Sequence, residues 1–422
     1  MQSRRIAAIV AVCTLLGACG RTESASTHSA LDADVVEYVR LAVALGARDG
    51  DSLDYAYPPA EWVADDIRTP PALAAIRARA TAAAERVERI ADSPASDRAR
   101  RRSLAAQLRA LAARADLLSG KRLSFHDESR LLFGITPPAL EEGAGRRASS
   151  DIEHLVPGPG SVIERYESFA RRQLVPTDRV PVVFERALAA CRQQTRREIA
   201  LPANEAVEVV YVHDSPWNGY SRYHGHYGST IQVNLDYGSS VDDLLVLACH
   251  EGYPGHHVQN VITEEQLVVK QHLIELTVQP AFSHQSLVSE ALAVHAIDRA
   301  FPGDMRAALE RDVLYPAAGL DSADAARSVA IARAIDRTRP VVADIVRRYL
   351  DGDLEFARAL PVLRDRALVP QPAALLKFVN RFRSYALTYT YGPDWLHARD
   401  PRGDDARDAL LATLLLRSQR HD

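Results

Sequence analysis

The chain has 422 residues, of which 47% are hydrophobic, so it can bury a sizeable core in one large domain or two ordinary ones. Its formal net charge is only −4 and its aromatic content is 6%, a balance without the strong basic character of nucleic-acid-binding proteins. We therefore predict no nucleic-acid partner.

The N-terminus has the pattern of an export signal. Two arginines precede an apolar run at residues 6–16 that is too short to span a bilayer. The run ends in Leu-Gly-Ala-Cys at residues 16–19, which resembles the lipobox of bacterial lipoproteins. The resemblance implies that residues 1–18 are a signal peptide and that Cys19 is lipidated and anchors the chain in a membrane of the cell envelope. The polar residues 19–30 would then form a flexible tether. The alternative is an ordinary secretory signal in which the cysteine has no role.

Residues 31–140 are predicted to form a helical region. The segments 72–90 and 102–120 place apolar residues at helical spacing, and Gly120 ends the second segment. The segment 141–161 is dense in glycine, serine and proline, so we predict a linker there.

Export would place Cys191 and Cys249 in an oxidising compartment, where they can form a disulfide. Cys249 lies in an apolar run, which suits a buried free thiol equally well. The sequence leaves the choice open.

A helix at residues 181–200 is followed by two short β-branched segments, 207–212 and 229–235, that are typical of strands. Between them, residues 213–228 are rich in glycine and tyrosine and are predicted to be a loop. From Ser240 almost to the end the pattern is helical again. We therefore predict a mainly α fold with a small antiparallel sheet beside the helix that begins near Ser240.

The candidate site lies at the end of that helix, where an apolar run is followed by His250 and Glu251. Ser239 or Ser240 can cap the helix, and residues 244–248 are apolar on all sides, so the pair is predicted to lie at a buried end. A buried glutamate is costly unless a cation, a metal-bound water or strong donors compensate its charge. The alternative is a His–Glu hydrogen bond that only orders the end of the helix.

Two later histidines, His256 and His257, can reach the same ion as His250 only if the helix is broken. On a continuous helix His256 would point away, and His257 would lie roughly 10 Å along the axis. Pro254 lacks an N–H and clashes with the carbonyl four residues earlier, while glycines on both sides of it loosen the turn. The insert Gly-Tyr-Pro-Gly at residues 252–255 therefore makes a late histidine usable as a ligand.

The text His-Glu-Gly-Tyr-Pro-Gly-His-His at residues 250–257 resembles the signature of the bacterial domain-of-unknown-function 885 family, whose members are similar to gluzincin-type zinc peptidases. It is distantly similar to the carboxypeptidase Taq family, if Gly255-His256 is matched to the end of that family's His-Glu-x-Gly-His motif. The resemblance covers residues 200–400. It implies a large helical metallopeptidase-like fold, with a zinc-peptidase-like catalytic region at residues 162–422.

The resemblance also implies the ligands of one zinc ion. His250 and His256 are the expected histidine ligands, with His257 as the alternative to His256. A gluzincin takes its third ligand from a following helix, and Glu290 matches the glutamate of a Glu-Gly-Trp-Ala-Leu-Tyr-like element. In this chain the glycine, tryptophan and tyrosine of that element are replaced by Ala291, Leu292 and His295. The alternative, an exposed helical glutamate, fits poorly with the apolar neighbours of Glu290.

Two histidines and one glutamate leave one zinc position open, which is typical of a catalytic site. The resemblance thus implies a lipid-anchored zinc-dependent peptidase, in which Glu251 takes a proton from the water that attacks a peptide carbonyl. Two alternatives remain open. One is a non-catalytic lipoprotein that binds peptides on a peptidase fold, and the other is a zinc hydrolase of a non-peptide amide or ester.

Substrate-binding residues are predicted around the strand that precedes the helix with His250 and Glu251. Residues 229–236 resemble the sheet edge that holds extended peptides in gluzincin-like enzymes, and Asn234 is expected to add a side-chain hydrogen bond. In the loop before this strand, Tyr223 and His226 are predicted to close over the substrate. For His224 and His226 the alternatives are a second metal site or plain surface.

A donor for the oxyanion is predicted in residues 380–395, which resemble the family's C-terminal Tyr-x-x-Gly-like element. Tyr389 is the first candidate and Tyr385 the second, because they lie four residues apart on one helical face. Arg381 is expected to bind a substrate carboxylate, and Arg383 is expected to take part in catalysis. The alternative is that the tyrosines only pack against neighbouring helices.

Overall fold

The computed structural model describes residues 22–90, 95–141, 143–215, 217–399 and 410. The predicted signal peptide and Cys19 lie outside these residues. Within the described ranges, no helix has both the length and the apolar content that crossing a bilayer requires.

Helices make up most of the described chain, which confirms the mainly α prediction. In chain order the α-helices are α1 (Thr22–Arg48), α2 (Ala60–Arg68), α3 (Leu73–Arg89), α4 (Ala95–Leu118), α5 (Phe125–Phe133), α6 (Arg146–Leu155), α7 (Val162–Arg172), α8 (Val180–Glu198), α9 (Val241–Glu251), α10 (His256–Ile262), α11 (His284–Val294), α12 (Ala296–Ala300), α13 (Met305–Leu309), α14 (Tyr315–Ala318), α15 (Ala325–Asp336), α16 (Arg339–Leu350), α17 (Phe356–Ala367), α18 (Pro372–Phe382), α19 (Leu387–Thr390) and α20 (Gly392–His397). The helices predicted at 72–90, 102–120 and 181–200 are confirmed as α3, α4 and α8.

Two small sheets accompany the helices. Their strands are β1 (Leu53–Ala56), β2 (Ala206–Val212), β3 (Gly219–Gly225), β4 (Gly228–Asn234) and β5 (Val278–Pro280). β1 and β5 pair antiparallel. The other sheet has the order β2–β4–β3, in which β2 runs parallel to β4 and β3 antiparallel to it. The predicted sheet before α9 is therefore present, but it is mixed rather than antiparallel.

β4 is the central strand of the three-stranded sheet, so the prediction that it offers a free edge for substrate is wrong. The predicted loop at residues 213–228 is also wrong in its middle, because it contains β3. There Tyr223 is buried while Arg222 and His224 are exposed, which is the alternation of a strand with one covered face. The high content of glycine and tyrosine in this segment is typical of a loop, but β3 forms the edge of the sheet next to β4.

Helix α1 begins at Thr22 and therefore includes residues 22–30 of the predicted tether. For these residues the tether prediction is wrong. Helix formation is cooperative, and the polar segment runs directly into a stretch with strong helix-forming residues and buried positions from Leu31 onward.

The predicted linker at residues 141–161 is wrong as well, because α6 occupies its middle. Ala148 and Ile152 lie four residues apart on one face of α6, and both are buried. Ile152 belongs to an apolar cluster with Ile331 and Leu368, which come much later in the chain. Glycine and proline therefore mark the two ends of a packed helix rather than a flexible connection.

One apolar core joins the two sides of this segment. It contains Phe125 and Phe133 of α5, and also Leu244 of α9 and Leu287 of α11. A second apolar cluster lies mainly between α1, α3 and α4. The N-terminal helical region and the region after the predicted linker thus share buried contacts, with α5 as the bridge.

A disulfide joins Cys191 of α8 to Cys249 of α9, which answers the question that the sequence left open. Both cysteines are fully buried. The bond fastens α9 to α8 at the residue before His250.

The beginning of α9 packs on buried charges. Asp242 accepts a hydrogen bond from Arg306 at 2.8 Å, and Oε1 of Glu310 lies 3.6 Å from Nε of the same arginine. All three residues are buried. Burial and the Asp242 carboxylate raise the pKa of Glu310 far above its usual range, so its carboxyl is protonated at neutral pH.

Candidate metal centre

Helix α9 carries His250 and Glu251 into the core from a well-defined start. The hydroxyl of Ser240 accepts from the backbone N–H of Asp243, and the Asp243 carboxylate accepts from the backbone N–H of Ser240. This confirms the predicted cap. From there the apolar residues of α9 are covered by the core, and the helix ends at Glu251.

The predicted break after Glu251 is present, because α9 ends there and α10 begins at His256. The backbone N–H of Gly255 donates to the carbonyl of Cys249 at 3.0 Å. A Cβ on residue 255 would lie only 1.8 Å from the carbonyl oxygen of His250. Only glycine allows this approach, and it places the first residue of α10 beside the last turn of α9.

His250, His256 and Glu290 meet at one point, with one ligand-type atom from each residue within 4.8 Å of the others. Nε2 of His250 lies 3.4 Å from Oε2 of Glu290, and Nε2 of His256 lies 3.4 Å from Oε1 of the same carboxylate. Glu290 lies on α11, which agrees with its expected origin on a following helix. The structure therefore brings together the three residues that the resemblance implied as zinc ligands.

Hydrogen bonds fix which nitrogen of His256 faces the cluster. The Gln259 amide N–H donates to the Ser289 carbonyl at 3.2 Å, so the amide oxygen must be the atom that accepts from the Ser289 hydroxyl at 2.9 Å. Because that hydroxyl has given its proton to Gln259, it accepts from Nδ1–H of His256 at 3.1 Å. In the neutral form of His256 the lone pair is thus on Nε2, the nitrogen that faces Glu290, as metal binding requires.

Glu290 provides the test of whether a cation fits here. Its Oε2 atom is buried and makes no hydrogen bond with the residues that the structure describes. A buried carboxylate oxygen without a partner is costly, and a metal ion between it and the two Nε2 atoms would satisfy it. Two imidazole nitrogens and one carboxylate oxygen are also a ligand set that zinc accepts in catalytic sites.

Glu251 lies beside the cluster without belonging to it. Its Oε1 atom is 4.0 Å from Nε2 of His250. The backbone of Ser221 on β3 is close enough to lower the pKa of the Glu251 carboxyl. Burial raises the pKa of Glu251, and the neighbouring Glu290 adds to this effect, whereas His250 and His256 oppose it. The raised pKa makes the Glu251 carboxylate a stronger proton acceptor than an exposed one.

The charges around the cluster favour a cation. Burial alone would raise the pKa of Glu290, but His256 and His250 outweigh it and hold that pKa well below its usual range. Burial alone would lower the pKa of His256, but the Glu290 and Glu251 carboxylates outweigh it and raise the pKa to about 9. The Glu290 carboxylate is therefore ionised, and it presents negative charge to the space between the histidines. A metal ion bound there would take the place of the second proton that the raised pKa gives to His256.

Tyr385 and Tyr389 line the same site, as predicted. The Tyr385 hydroxyl donates to Oε1 of Glu290 at 2.9 Å, and the Tyr389 ring stacks on His250 with 6.3 Å between ring centres. They do not share one long helix, because a short turn at residues 383–386 precedes α19, but their rings still lie 5.8 Å apart. Burial raises the pKa of both phenols well above the usual value, so both remain donors.

His257, the alternative to His256, faces away from the cluster. It is fully buried; its Nε2 atom contacts Oε2 of Glu205 at 3.0 Å, and its Nδ1 atom contacts the Ser229 hydroxyl at 2.8 Å. Both ring nitrogens of His257 are therefore engaged by protein groups. The geometry favours His256 as the ligand.

Both arginines that we predicted at the site are paired elsewhere. Arg381 forms a two-pronged ion pair with Asp51, with both contacts at 2.7 Å. Arg383 donates to Glu128 at 2.8 Å. The substrate-binding role of Arg381 and the catalytic role of Arg383 are therefore wrong in this structure, because the carboxylates that hold the two guanidinium groups come from the distant N-terminal region.

Asn234 does not point to a free substrate edge. Its side-chain amide donates to the carbonyls of Ser215 and Trp217, both at 2.9 Å. It therefore holds the connection between β2 and β3, and the prediction that it binds substrate is wrong.

Tyr223 and His226 are held by a common partner away from the three ligands. The Tyr223 hydroxyl donates to Glu264, and the backbone N–H of His226 donates to the same carboxylate at 2.9 Å. Glu264 thus fastens the β3–β4 turn to the segment that follows α10. The prediction that Tyr223 and His226 form a closing loop over substrate is wrong for this conformation.

Sequence reasoning missed three residues that support the site, namely Ser289, Gln259 and Glu205. Ser289 precedes Glu290, and Gln259 lies three residues after His256, so helical spacing indicated their position but not their role. Glu205 lies between α8 and β2, where nothing in the local pattern marks it.

No protein-family model matches the chain, and no curated protein matches it. Among solved structures, it is similar to one described as "a putative lipoprotein of unknown function from Shewanella oneidensis". The similarity has a TM-score of 0.43 and a sequence identity of 13%, and it covers 81% of this chain and 72% of that one. A likeness of this size carries no argument about fold or function.

Proposed function

We propose that the protein is a zinc-dependent peptidase that hydrolyses peptide bonds. The observation that carries the proposal is the convergence of His250, His256 and Glu290, with a buried oxygen of Glu290 that lacks a hydrogen bond. Glu251 lies next to this group, in the position of a base rather than of a ligand. A protein that only binds peptides has no need of such a base.

A zinc ion held by the three residues would activate a water molecule and polarise a substrate carbonyl. Glu251 then accepts the proton of the attacking water and passes it to the leaving amine. Tyr389 supports the negative charge that develops on the carbonyl oxygen, because its hydroxyl is protonated and its ring lies against His250. Tyr385 has a different task, since its proton is directed at Glu290.

The peptide substrate is proposed to lie along β3. This strand forms one edge of its sheet, and the backbone of Ser221 on it is close enough to Glu251 to lower the pKa of that carboxyl. The pairing of β3 with β4 directs the backbone groups of alternate residues away from β4. An extended peptide that pairs with them would pass close to Glu251, with affinity from its main chain and little side-chain selectivity.

The test combines zinc content with cleavage. The purified protein should contain about one zinc ion per chain by mass spectrometry. It should cleave members of a peptide library, lose this activity with a chelator and regain it with zinc. Glu251→Gln is the matched control, because it should retain zinc and lose activity by about two to four orders of magnitude.

Each alternative has its own outcome in this test. A zinc-loaded protein that cleaves no peptide, and whose Glu251→Gln variant binds peptides equally well, would favour a peptide-binding role. Zinc-dependent hydrolysis of simple amides or esters, with peptides untouched, would favour another hydrolase. Full peptidase activity without metal would contradict the proposal itself.

We also propose that the protein is exported and anchored through a lipid on Cys19. The lipobox-like sequence supports this, and so does the Cys191–Cys249 disulfide, because such bonds persist in oxidising compartments. Labelled palmitate should enter the wild-type protein and not Cys19→Ala. Equal labelling of both proteins would rule out Cys19 as the acylated residue.

A further inference from the structure

Glu205 is the centre of a buried network directly behind the metal centre. Its side chain has no exposed area. Oε1 accepts from Arg192 at 2.7 Å and from Arg196 at 2.8 Å, both on α8. A carboxylate with this many charge-assisted partners holds a single, well-defined position.

The other oxygen of Glu205 holds the insert that separates α9 from α10. Oε2 accepts from the Tyr253 hydroxyl at 2.7 Å and contacts Nε2 of His257 at 3.0 Å. Tyr253 lies within the insert, and His257 follows His256 directly. One carboxylate therefore binds the chain on both sides of His256.

The partners of His257 define this contact further. Oε2 of Glu205 is an acceptor, so the proton of His257 is on Nε2, and its Nδ1 atom accepts from the Ser229 hydroxyl. Ser229 lies at the start of β4. His257 is thus fixed from two directions, by the α8–β2 segment and by the sheet, and its ring cannot turn without breaking one of these bonds.

Helix α8 holds the first histidine as well. Cys191 forms the disulfide with Cys249, the residue before His250, and the next residue, Arg192, binds Glu205. Two neighbouring positions on α8 therefore hold the two halves of the broken helix, one by a covalent bond and the other through a carboxylate.

We infer that Glu205 is a positioning residue, which sets the place of His256 relative to His250 by holding Tyr253 and His257. The inference rests on the proposed zinc site. Zinc tolerates only about 0.2 Å of error in its bonds to ligands, so an insert that is free to shift would lose His256 as a ligand before it unfolds. Glu205 has this effect without contact to the metal or to the substrate.

The experiment measures the zinc Kd of Glu205 variants by competition with a chromophoric chelator, at a temperature well below each variant's Tm. Glu205→Ala should raise the zinc Kd by about ten- to a hundredfold, the size typical for residues that orient ligands. Glu205→Gln should restore the Kd to within about threefold of wild type, because the amide oxygen can face the arginines while its NH2 group faces Tyr253 and His257. Tyr253 can accept from this group, and His257 can accept on Nε2 once its proton is on Nδ1, where the Ser229 hydroxyl can accept it.

Asp66→Asn is the control for stability alone. Asp66 is a buried carboxylate on α2, bound to Arg40 of α1 at 2.7 Å. Its substitution should lower the Tm and leave the zinc Kd unchanged.

The outcomes separate the inference from the proposed function. A wild-type protein that binds no zinc would contradict the zinc site. A wild-type protein that binds zinc, together with a folded Glu205→Ala variant of equal Kd, would overturn only the role of Glu205. If Glu205→Ala does not fold, Tyr253→Phe decides: a severalfold rise in Kd supports the role of Glu205, and an unchanged Kd overturns it.

Discussion

Replacing Gly255 by alanine tests the close approach that brings His256 next to His250. A Cβ on residue 255 would lie 1.8 Å from the carbonyl oxygen of His250 and 2.3 Å from that of Cys249. Real Cβ atoms essentially never lie within 3.0 Å of another heavy atom of this kind. The start of α10 must therefore move away from the end of α9 by roughly 1 Å or more, whereas zinc–nitrogen bonds of about 2 Å tolerate only about 0.2 Å. A shift of this size removes His256 from an ion bound by the other two ligands.

The loss of affinity follows from the share of one ligand. Zinc binding energies of about 10–16 kcal/mol, divided among four ligands, give roughly 3 kcal/mol each, so Gly255→Ala should raise the zinc Kd by roughly a hundredfold or more. Competition with a chromophoric chelator measures the Kd, and far-UV circular dichroism shows whether the helices remain. Gly50→Ala is the matched control, because a Cβ there meets no atom within 4 Å and should leave the Kd unchanged.

A folded Gly255→Ala protein with the wild-type zinc Kd would refute the reasoning. It would mean that His256 reaches the cluster without the contact between residue 255 and the carbonyl of His250. An equal rise in Kd for Gly50→Ala would also count against it, since the effect would then not depend on the contact.

Two further predictions concern the tyrosines and the buried acid. Tyr389→Phe should lower kcat by about a hundredfold at full zinc occupancy. Tyr385→Phe should instead raise the zinc Kd by about tenfold, because it removes the hydrogen bond to Glu290. If both variants keep the wild-type kcat and zinc Kd, the oxyanion donor lies elsewhere. The pKa of Glu310 in the folded state is raised above the value of about 4.5 that is expected in the unfolded state. Above pH 4.5 only the folded state keeps this proton, so the free energy of unfolding falls as the pH rises, by up to about 1.4 kcal/mol per pH unit. Glu310→Gln has no titrating proton, so it should become increasingly stable relative to wild type between pH 6 and pH 9 in urea unfolding. A pH-independent difference between the two proteins would mean that Glu310 is not protonated.

The cluster of candidate ligands could be predicted in part because its chemistry is local. His250 and Glu251 follow an apolar helix that has to end in the core, and Pro254 with its flanking glycines makes a helix break almost unavoidable. The choice between His256 and His257 could not be made in the same way. It depends on Glu205 and Ser229, which bind the two ring nitrogens of His257 and keep it away from the cluster. Both residues are far from His257 in the sequence, so no local pattern reveals these contacts.

The sheet shows where local patterns fail. The β-branched segments that became β2 and β4 were visible, but β3 is rich in glycine and tyrosine and reads as a loop. Which strand lies in the centre depends on how the three strands pair with one another, and the sequence of one strand does not determine this pairing. For the same reason the substrate edge was predicted on β4, although β3 is the strand that lies at an edge of this sheet.

Charged side chains were the least predictable part of the site. Arg381 and Arg383 occur in a run of aromatic residues near the candidate tyrosines, which made them attractive as substrate contacts. Their partners, Asp51 and Glu128, come from the first third of the chain. An arginine is informative about function only when its carboxylate partner is known, and that partner was outside every window of sequence that suggested the role.

Helix α11 supplies both Glu290, the proposed ligand, and Ser289, whose hydroxyl accepts a hydrogen bond from Nδ1–H of His256. Each residue added to a helix turns everything beyond it by about 100° and advances it by 1.5 Å. Inserting or deleting a single residue between the cap at Ser283 and Glu290 would therefore rotate both side chains out of the site together. The number of residues in this stretch is under the same constraint as the identity of the ligand, so its length should be as resistant to change during evolution as the glutamate itself.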